Sequence, residues 1–311
     1  MPTIHNHKKF LEEFDPTNID KLMVRKKFDF SEFSDGMRDL FRAEAYSRKH
    51  KTYTNINILN GYKPQTHLYR YVTYRHFIDY ASNNYLTFVS PQQWQDPFER
   101  RFLKTDYTKY NYAQPDIFCM CTTENGIENE DAAWRLYGNS QDKTLRIKIN
   151  VDKLLKALND FSSQTGFKIY IGKMIYEFSR TDIEKIHTEE NDFFHKQFFY
   201  EPFTDNNYLS LMCLKQNAYK YENEVRFFCC KPSDDFSNDL FINIPINITD
   251  VIEEVVVGPI YPFSMQDPRS TYFSDYNDLD FKAFSNSISN ILPTTPIIQS
   301  SINIINQLDI V

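Results

Sequence analysis

The chain has 311 residues, of which 41% are hydrophobic, 16% aromatic and 25% charged, and its formal net charge is −7. This length allows one large domain or two smaller ones around a sizeable core. The negative charge argues against non-specific binding of duplex nucleic acid, which requires a basic face. With only 7 glycines, folds that depend on glycine-rich turns are excluded.

The lack of a signal peptide and of a long apolar run predicts a cytoplasmic protein without a membrane segment. The N-terminus, "MPTIHNHKKFLEEF", lacks the apolar core of a signal peptide, and no apolar run approaches the roughly 18 residues of a membrane span. The five cysteines are odd in number and lie in apolar segments, which is typical of buried, reduced thiols.

The order of predicted elements indicates three regions. Residues 1–60 are polar and predict a helical N-terminal extension, with Ser34 as a helix cap. Residues 61–284 alternate short strands with helices and predict an α+β domain. Strands are expected at 67–72, 85–90, 116–123, 144–151, 167–178, 219–228, 240–246 and 252–259, and helices at 74–82, 129–139, 152–161 and from 181.

The last region, residues 285–311, is an apolar tail with a single charge, Asp309. Two interpretations stay open for it. It forms a final helix or strand packed on the domain, or it is presented to a partner, because an exposed apolar tail is otherwise unfavourable.

Common catalytic motifs are missing from the chain. The sequence contains no Walker A loop, no G-x-G-x-x-G, no G-x-S-x-G and no H-E-x-x-H. The seven histidines and the Cys119-x-Cys121 pair lack the spacing of a zinc site. We therefore predict no metal.

Charges inside apolar segments mark the candidate site. In "YKYENEVRFF", strand alternation would place Glu222, Glu224 and Arg226 on one face. Buried charges are costly unless they are used or neutralised. Arg70 lies within "LYRYV", and in "WQDPFE", where Pro97 favours a turn, Asp96 and Glu99 flank the proline.

These segments resemble a bacterial family known only as domain of unknown function family 2971. The matching segments, in order, are "LYRYV", "LTFVSPQQWQDPFE", "FCMCTTENGIENEDAAWRLYGN", "YKYENEVRF" and "VVVGP", between about residues 67 and 260. The family's "NDPFE" and "YExEWR" patterns differ here at Gln95 and Val225. The Gln95 difference weakens any role for an amide at that turn.

A more distant resemblance is to the ADP-ribosyltransferase toxins. It implies a mixed, split β-sheet core with surrounding helices and NAD as co-substrate, without a metal. By this resemblance Arg70 would hold NAD, Ser90 would shape the nicotinamide pocket, and Glu224 would be catalytic, with Glu222 beside it. The hypothesis requires Arg70 and Glu224 to face one cleft.

The expected chemistry assigns roles to further side chains. Cleavage of the ribose–nicotinamide bond passes through an oxocarbenium-like state that a carboxylate can stabilise. Aromatic rings can stack on the cationic nicotinamide. The stacking residues expected are Tyr71, Tyr85 and Phe88, and the supporting residues are Asp96, Glu99, Trp134, Tyr137 and Arg226.

Each of these residues also has a structural interpretation. Arg70 could simply pair with Glu222 or Glu99. Asp96 and Glu99 could cap a turn and the helix after it. Trp134 and Tyr137, three residues apart, could be helix core.

The sequence hypothesis is an NAD-dependent toxin or phage-defence effector that modifies RNA, DNA or protein. An antitoxin or another partner would bind the N-terminal helices or the C-terminal tail. One alternative is a metal-dependent nuclease that uses Asp96, Glu99, Glu222 and Glu224 around Mg²⁺, although no lysine was expected beside these acids. Another is a non-enzymatic binding module.

Overall fold

The computed structural model of the chain describes residues 55–94, 96–126, 133–134, 137, 143–188, 195, 198–199, 202–232, 239–259 and 273–300. Most of the predicted N-terminal extension, with the Ser34 cap, and residues 301–311 of the tail lie outside these residues.

Within the described ranges, ten strands form one mixed sheet. They are β1 (Ile56–Ile58), β2 (His67–Thr73), β3 (Tyr85–Val89), β4 (Ile117–Thr123), β5 (Thr144–Asn150), β6 (Lys168–Lys173), β7 (Glu224–Cys230), β8 (Phe241–Pro245), β9 (Ile252–Val257) and β10 (Ile297–Gln299). The main path runs β1-β6-β7-β4-β2-β5-β9-β10. Among the strands of the described residues, β1 pairs in parallel with β6 and β10 with β9, and the other pairs are antiparallel.

The sheet divides at β4. The whole of β4 pairs with β7 on one edge. Its other edge is shared, because Thr123 pairs with Tyr69 of β2 and Cys119 pairs with Val89 of β3. One arm continues through β2 to β10, and the other consists of β3 and β8.

Helices connect the strands. They are α1 (Tyr74–Asn83), α2 (Pro97–Leu103), α3 (Val151–Thr165), α4 (Arg180–Thr188), α5 (Asp205–Leu211), α6 (Ile248–Val251) and α7 (Phe273–Ile291), with 3₁₀ turns at Pro91–Gln93, Thr108–Tyr110 and Asn217–Glu222. The ends of α3 follow from its sequence: the Asn150 side chain accepts a hydrogen bond from the Lys153 N–H, and Gly166 adopts a left-handed φ of 78°.

The two faces of the sheet carry different cores. One face, with Leu68, Val72 and Ile147, packs against α1, α3 and α7. The other face contacts a core rich in aromatic residues, whose members include Phe102, Tyr107, Phe203 and Tyr208. We call these the aliphatic face and the aromatic face. Strand β7, which lies between β4 and β6, is buried throughout.

This arrangement confirms the predicted α+β class, with a mixed and open sheet. Residues 285–300 form the end of α7 and strand β10, which pairs with β9. Among the residues described, no helix has both the length and the apolar character needed to cross a membrane.

Candidate functional site

A buried arginine organises a charged cluster on the aromatic face. Arg226, on β7, is 1% exposed. Its Nε donates to Glu224 Oε1 at 2.7 Å, its Nη2 to Glu99 Oε1 at 2.8 Å, and its Nη1 to the Met212 carbonyl at 2.7 Å. The guanidinium also lies 4.1 Å from the ring centre of Trp94. Hydrogen bonds and ring contact together compensate for burying this charge.

Lys215 joins the same cluster, although no lysine was expected there. Its Nζ donates to Glu222 Oε2 at 2.6 Å and to Glu224 Oε2 at 3.0 Å, and it lies 3.3 Å from Glu99 Oε1. Three carboxylates therefore surround two cations. The signal for Lys215 was its position as a single charge in the apolar segment "SLMCLKQN".

The helix α2 brings Glu99 into this cluster. The predicted turn "WQDPFE" is the start of a helix: Asp96 Oδ1 accepts from the Phe98 N–H at 2.8 Å, and Pro97 occupies the first helical position. Glu99 and Phe102 are the buried side chains of α2. The structural interpretation of Asp96 as a cap is correct, whereas Glu99 belongs to the charged cluster.

The expected strand face of Glu222, Glu224 and Arg226 is wrong in one respect. Strand β7 begins at Glu224, and Glu222 ends the 3₁₀ turn Asn217–Glu222. Between them Asn223 has a φ of 44°, a left-handed conformation that breaks strand alternation. Glu222 thus reaches the cluster from a turn, through Lys215.

The two neighbouring glutamates have opposite pKa shifts. Burial alone would raise the pKa of Glu224, but the charges of Arg226 and Lys215 outweigh burial and lower it to about 2. Burial is also the largest influence on Glu222 and raises its pKa, because only Lys215 opposes it. Glu224 is therefore a fixed anion, and Glu222 is the carboxylate better suited to exchange a proton.

This difference predicts acid sensitivity of the fold. A carboxyl group whose pKa is lower in the folded than in the unfolded state stabilises the fold at pH values above its pKa in the unfolded chain. That contribution is lost as the pH falls toward its pKa in the folded state. We expect the contribution of Glu224 to be lost between its ordinary pKa of 4.5 and about 2. The raised pKa of Glu222 acts in the opposite direction, since protonation of Glu222 favours the folded state.

The measurement is the urea midpoint at a series of pH values from about 6 to about 3. The variant Glu224→Gln, which removes this titration, should show a shallower decline in acid than the unmodified protein. Equal declines would contradict the assigned pKa of Glu224.

A stacked aromatic pair lies beside the charged cluster. The Tyr71 and Tyr137 rings are 5.4 Å apart and inclined by 18°, and Trp134 packs edge-on against Tyr71 at 4.9 Å. Tyr137 is 43% exposed. After loss of hydration, the charges of Glu222 and Glu224 are the main influences that raise the pKa of Tyr137. Tyr71 thus contacts both Trp134 and Tyr137, and the Tyr137 hydroxyl is close enough to Glu222 and Glu224 to be influenced by their charges.

Gly258 fixes the position of Trp134. An alanine Cβ at this position would lie 2.6 Å from Cζ3 of Trp134 and 2.8 Å from the Thr144 carbonyl oxygen. That same carbonyl accepts a hydrogen bond from the Gly258 N–H at 3.0 Å, so the backbone has little room to move away.

We expect Gly258→Ala to lower the free energy of unfolding by about 1–3 kcal/mol, as overpacking of a core does. Urea unfolding followed by tryptophan fluorescence measures this change. A variant as stable as the unmodified protein would show that Trp134 is not held tightly by this contact.

Arg70 does not share a cleft with Glu224, so the central geometric expectation is wrong. Glu224 pairs across β4 with Thr123, and Thr123 pairs with Tyr69 of β2. Directly paired residues share a face, so Tyr69 lies on the face of Glu224, and Arg70 lies on the aliphatic face with Leu68 and Val72. There Arg70 stacks on Tyr80 at 5.6 Å, and it pairs with neither Glu222 nor Glu99.

Three of the other residues expected to bind NAD, unlike Tyr71, are also separate from the cluster. Phe88 is fully buried in the aliphatic core. The Tyr85 hydroxyl donates to Asp79 on α1. Ser90 caps the turn Pro91–Gln93, where its Oγ accepts from the Gln92 N–H. Tyr85, Phe88 and Ser90 are separate from the cluster because the sheet divides at β4. Strand β3 belongs to the arm formed with β8, and β2 belongs to the other arm.

The cysteines are free, and four are buried as expected, but Cys121 is exposed. Its thiol is one of the groups that lower the pKa of Glu224, so it lies at the edge of the cluster. Within the described part of the chain, no group of three or more His, Cys, Asp or Glu side chains is arranged to hold a metal ion.

Comparison with known proteins gives one result. A family model described as a protein of unknown function (DUF2971) matches residues 133–227. This range includes Trp134, Tyr137, Lys215 and the segment from Glu222 to Arg226, but not Tyr71 or Glu99. Among curated proteins and among solved structures, none matches the chain. The resemblance to this family of unknown function is thus confirmed over residues 133–227.

Proposed function

We propose that the chain is an NAD-dependent ADP-ribosyltransferase in which Glu222 acts on the ribose. The observation that carries the proposal is the position of Glu222 and Glu224 beside the stacked pair Tyr71 and Tyr137. A planar cationic ring such as nicotinamide is attracted both to aromatic faces and to nearby carboxylates.

The reaction suits the pKa of Glu222. The C1′–N bond of the ribosyl–nicotinamide linkage breaks, and its electron pair leaves with neutral nicotinamide. The acceptor then forms a bond to C1′ and loses a proton. Glu222, with its pKa raised by burial, would stabilise the positive charge that develops on the ribose and accept that proton.

Glu224 has a different part in this proposal. Both of its oxygens already accept hydrogen bonds from Arg226, and Oε2 also accepts one from Lys215. It therefore positions Lys215, which in turn holds Glu222. The revised assignment does not use Arg70, Tyr85, Phe88 or Ser90 for NAD.

The test is incubation of the purified chain with NAD radiolabelled in the adenylate phosphate, together with a cell lysate. We expect release of nicotinamide and transfer of label to a macromolecule. Digestion of the product with nuclease or with protease identifies the acceptor as nucleic acid or protein. If neither nicotinamide release nor labelling occurs with a folded protein, the proposal fails, and the non-enzymatic binding module is favoured.

The nuclease alternative receives one supporting observation, the presence of Lys215 among the acids. However, Glu99, Glu222 and Glu224 converge on the two protein cations, and Asp96 caps α2. These carboxylates do not fit a shared Mg²⁺ position in this arrangement. Nucleic acid cleavage that EDTA abolishes would nevertheless replace the transferase proposal.

The proposed biological role is that of a toxin or phage-defence effector, as the ADP-ribosyltransferase resemblance implies. Expression in bacteria should then arrest growth, and Glu222→Gln should relieve the arrest. If the Glu222→Gln variant still arrests growth, the toxicity does not depend on the proposed reaction.

A further inference from the structure

A cavity of about 560 Å³ lies beside the C-terminal end of α2. It is lined by the turn Pro91–Gln93, by the C-terminal end of α2 and by the beginning of β4. Its volume lies within the range of small-molecule sites. None of the residues assigned above to the reaction lines it, so the cavity is separate from the proposed transferase site.

Two cations on α2 face this cavity. Arg100 and Lys104 are four residues apart, so they lie on the same side of the helix, and both line the cavity. Neither forms an ion pair with any residue that the structure describes. By contrast, Arg180 pairs with Glu184 on the surface. Arg100 and Lys104 can thus contact a ligand directly.

Neutral hydrogen-bonding groups complete the polar lining. Gln92, Gln93 and Gln114 supply amides. The Gln114 Nε2 donates to the Tyr208 hydroxyl at 3.2 Å and to the Leu103 carbonyl at 3.4 Å. Those contacts hold the side chain in place and leave its carbonyl oxygen as an acceptor for a ligand.

The remaining lining limits the class of ligand. Asp116 and Asp239 also line the cavity, so two carboxylates balance two cations and a simple anion is not the best match. Pro91 and the 52% exposed Leu240 contribute apolar surface. A fitting ligand carries an anionic group, several hydrogen-bond donors and one flat apolar part.

We propose that this cavity binds a nucleoside monophosphate. Arg100 and Lys104 hold the phosphate, the Asp239 carboxylate accepts hydrogen bonds from ribose hydroxyls or an exocyclic amine, and the apolar wall covers the base. This inference is independent of the proposed ADP-ribosyl transfer.

Calorimetric titration of the full chain with the four common nucleoside monophosphates tests the proposal, with inorganic phosphate and adenosine as separate arms. We expect at least one monophosphate to bind more tightly than either phosphate or nucleoside alone. The double variant Arg100→Gln/Lys104→Gln should lose about tenfold in affinity or more, because it removes charge-assisted hydrogen bonds.

The matched control is Arg101→Gln. Arg101 lies on the same helix and stacks on Phe98, but it does not line the cavity. The substitution Arg101→Gln also removes a positive charge from α2, and it should leave the affinity for the monophosphate nearly unchanged. Equal losses in Arg101→Gln and the double variant, or unchanged binding in the double variant, would overturn the proposal.

A second measurement requires no variant. Photolabelling of the unmodified chain with an 8-azido-adenosine monophosphate, followed by peptide mapping, should mark residues 90–93, 114–118 or 239–240, which line the cavity. Label confined to other segments, or absence of binding by every monophosphate, would refute the assignment.

Discussion

Replacement of Arg226 by methionine is expected to lower the free energy of unfolding by about 3–5 kcal/mol. The guanidinium is 1% exposed, and its loss leaves Glu99 and Glu224 buried with Lys215 as their remaining cation. Removing one partner of a buried ion pair is more harmful than replacing the whole pair, because the remaining charge has no water to hydrate it. Since small domains unfold with about 5–15 kcal/mol in total, the variant should be marginal.

Urea unfolding at neutral pH measures this effect. The matched control is Arg180→Met, because Arg180 also combines a glutamate partner with a ring contact, to Glu184 and Phe98, but at the surface. Its expected loss is at most about 1 kcal/mol. Adding Glu99→Gln and Glu224→Gln to Arg226→Met should restore part of the stability. If Arg226→Met is no less stable than Arg180→Met, the buried charge network does not stabilise the fold as described.

Glu222→Gln is expected to lower ADP-ribosyl transfer by about 10²–10⁴-fold, the range for loss of a general acid or base. The fold should remain intact, because a glutamine carbonyl oxygen can still accept the hydrogen bond that Lys215 donates to Glu222. Glu224→Gln should behave differently. It weakens the bonds to Arg226 and Lys215, so we expect a loss of stability as well as of activity.

The readouts are initial rates of nicotinamide release and, in parallel, urea midpoints. Glu253→Gln is the matched control, since Glu253 is a partly exposed glutamate on β9 that bonds Asn150 and His67. Arg70→Met should also retain activity, because Arg70 lies on the other sheet face. Full activity in Glu222→Gln would remove Glu222 from the reaction, and loss in Arg70→Met would restore the earlier assignment.

Local sequence patterns were sufficient to predict most of the elements. The clean alternation of "TLRIKINV" predicted strand β5, and the amphipathic pattern of residues 152–161 predicted most of α3, which continues to Thr165. These signals are short-range, since a cap or a strand face depends on residues a few positions apart. The order of the predicted elements also indicated the α+β class, and strand alternation in "YKYENEVRFF" brought Glu222, Glu224 and Arg226 to attention.

The tertiary structure alone decided which charges meet. Alternation in "LYRYV" places Arg70 with Leu68 and Val72, but nothing in the sequence says which sheet face also carries Glu224. That relation depends on the pairing of β2 with β4 and of β4 with β7. Lys215 and Glu99 reach Arg226 from distant segments, which only long-range strand and helix packing brings together. Local sequence patterns therefore determined most of the helices and strands, whereas pairing between distant segments determined which charged side chains meet at the site.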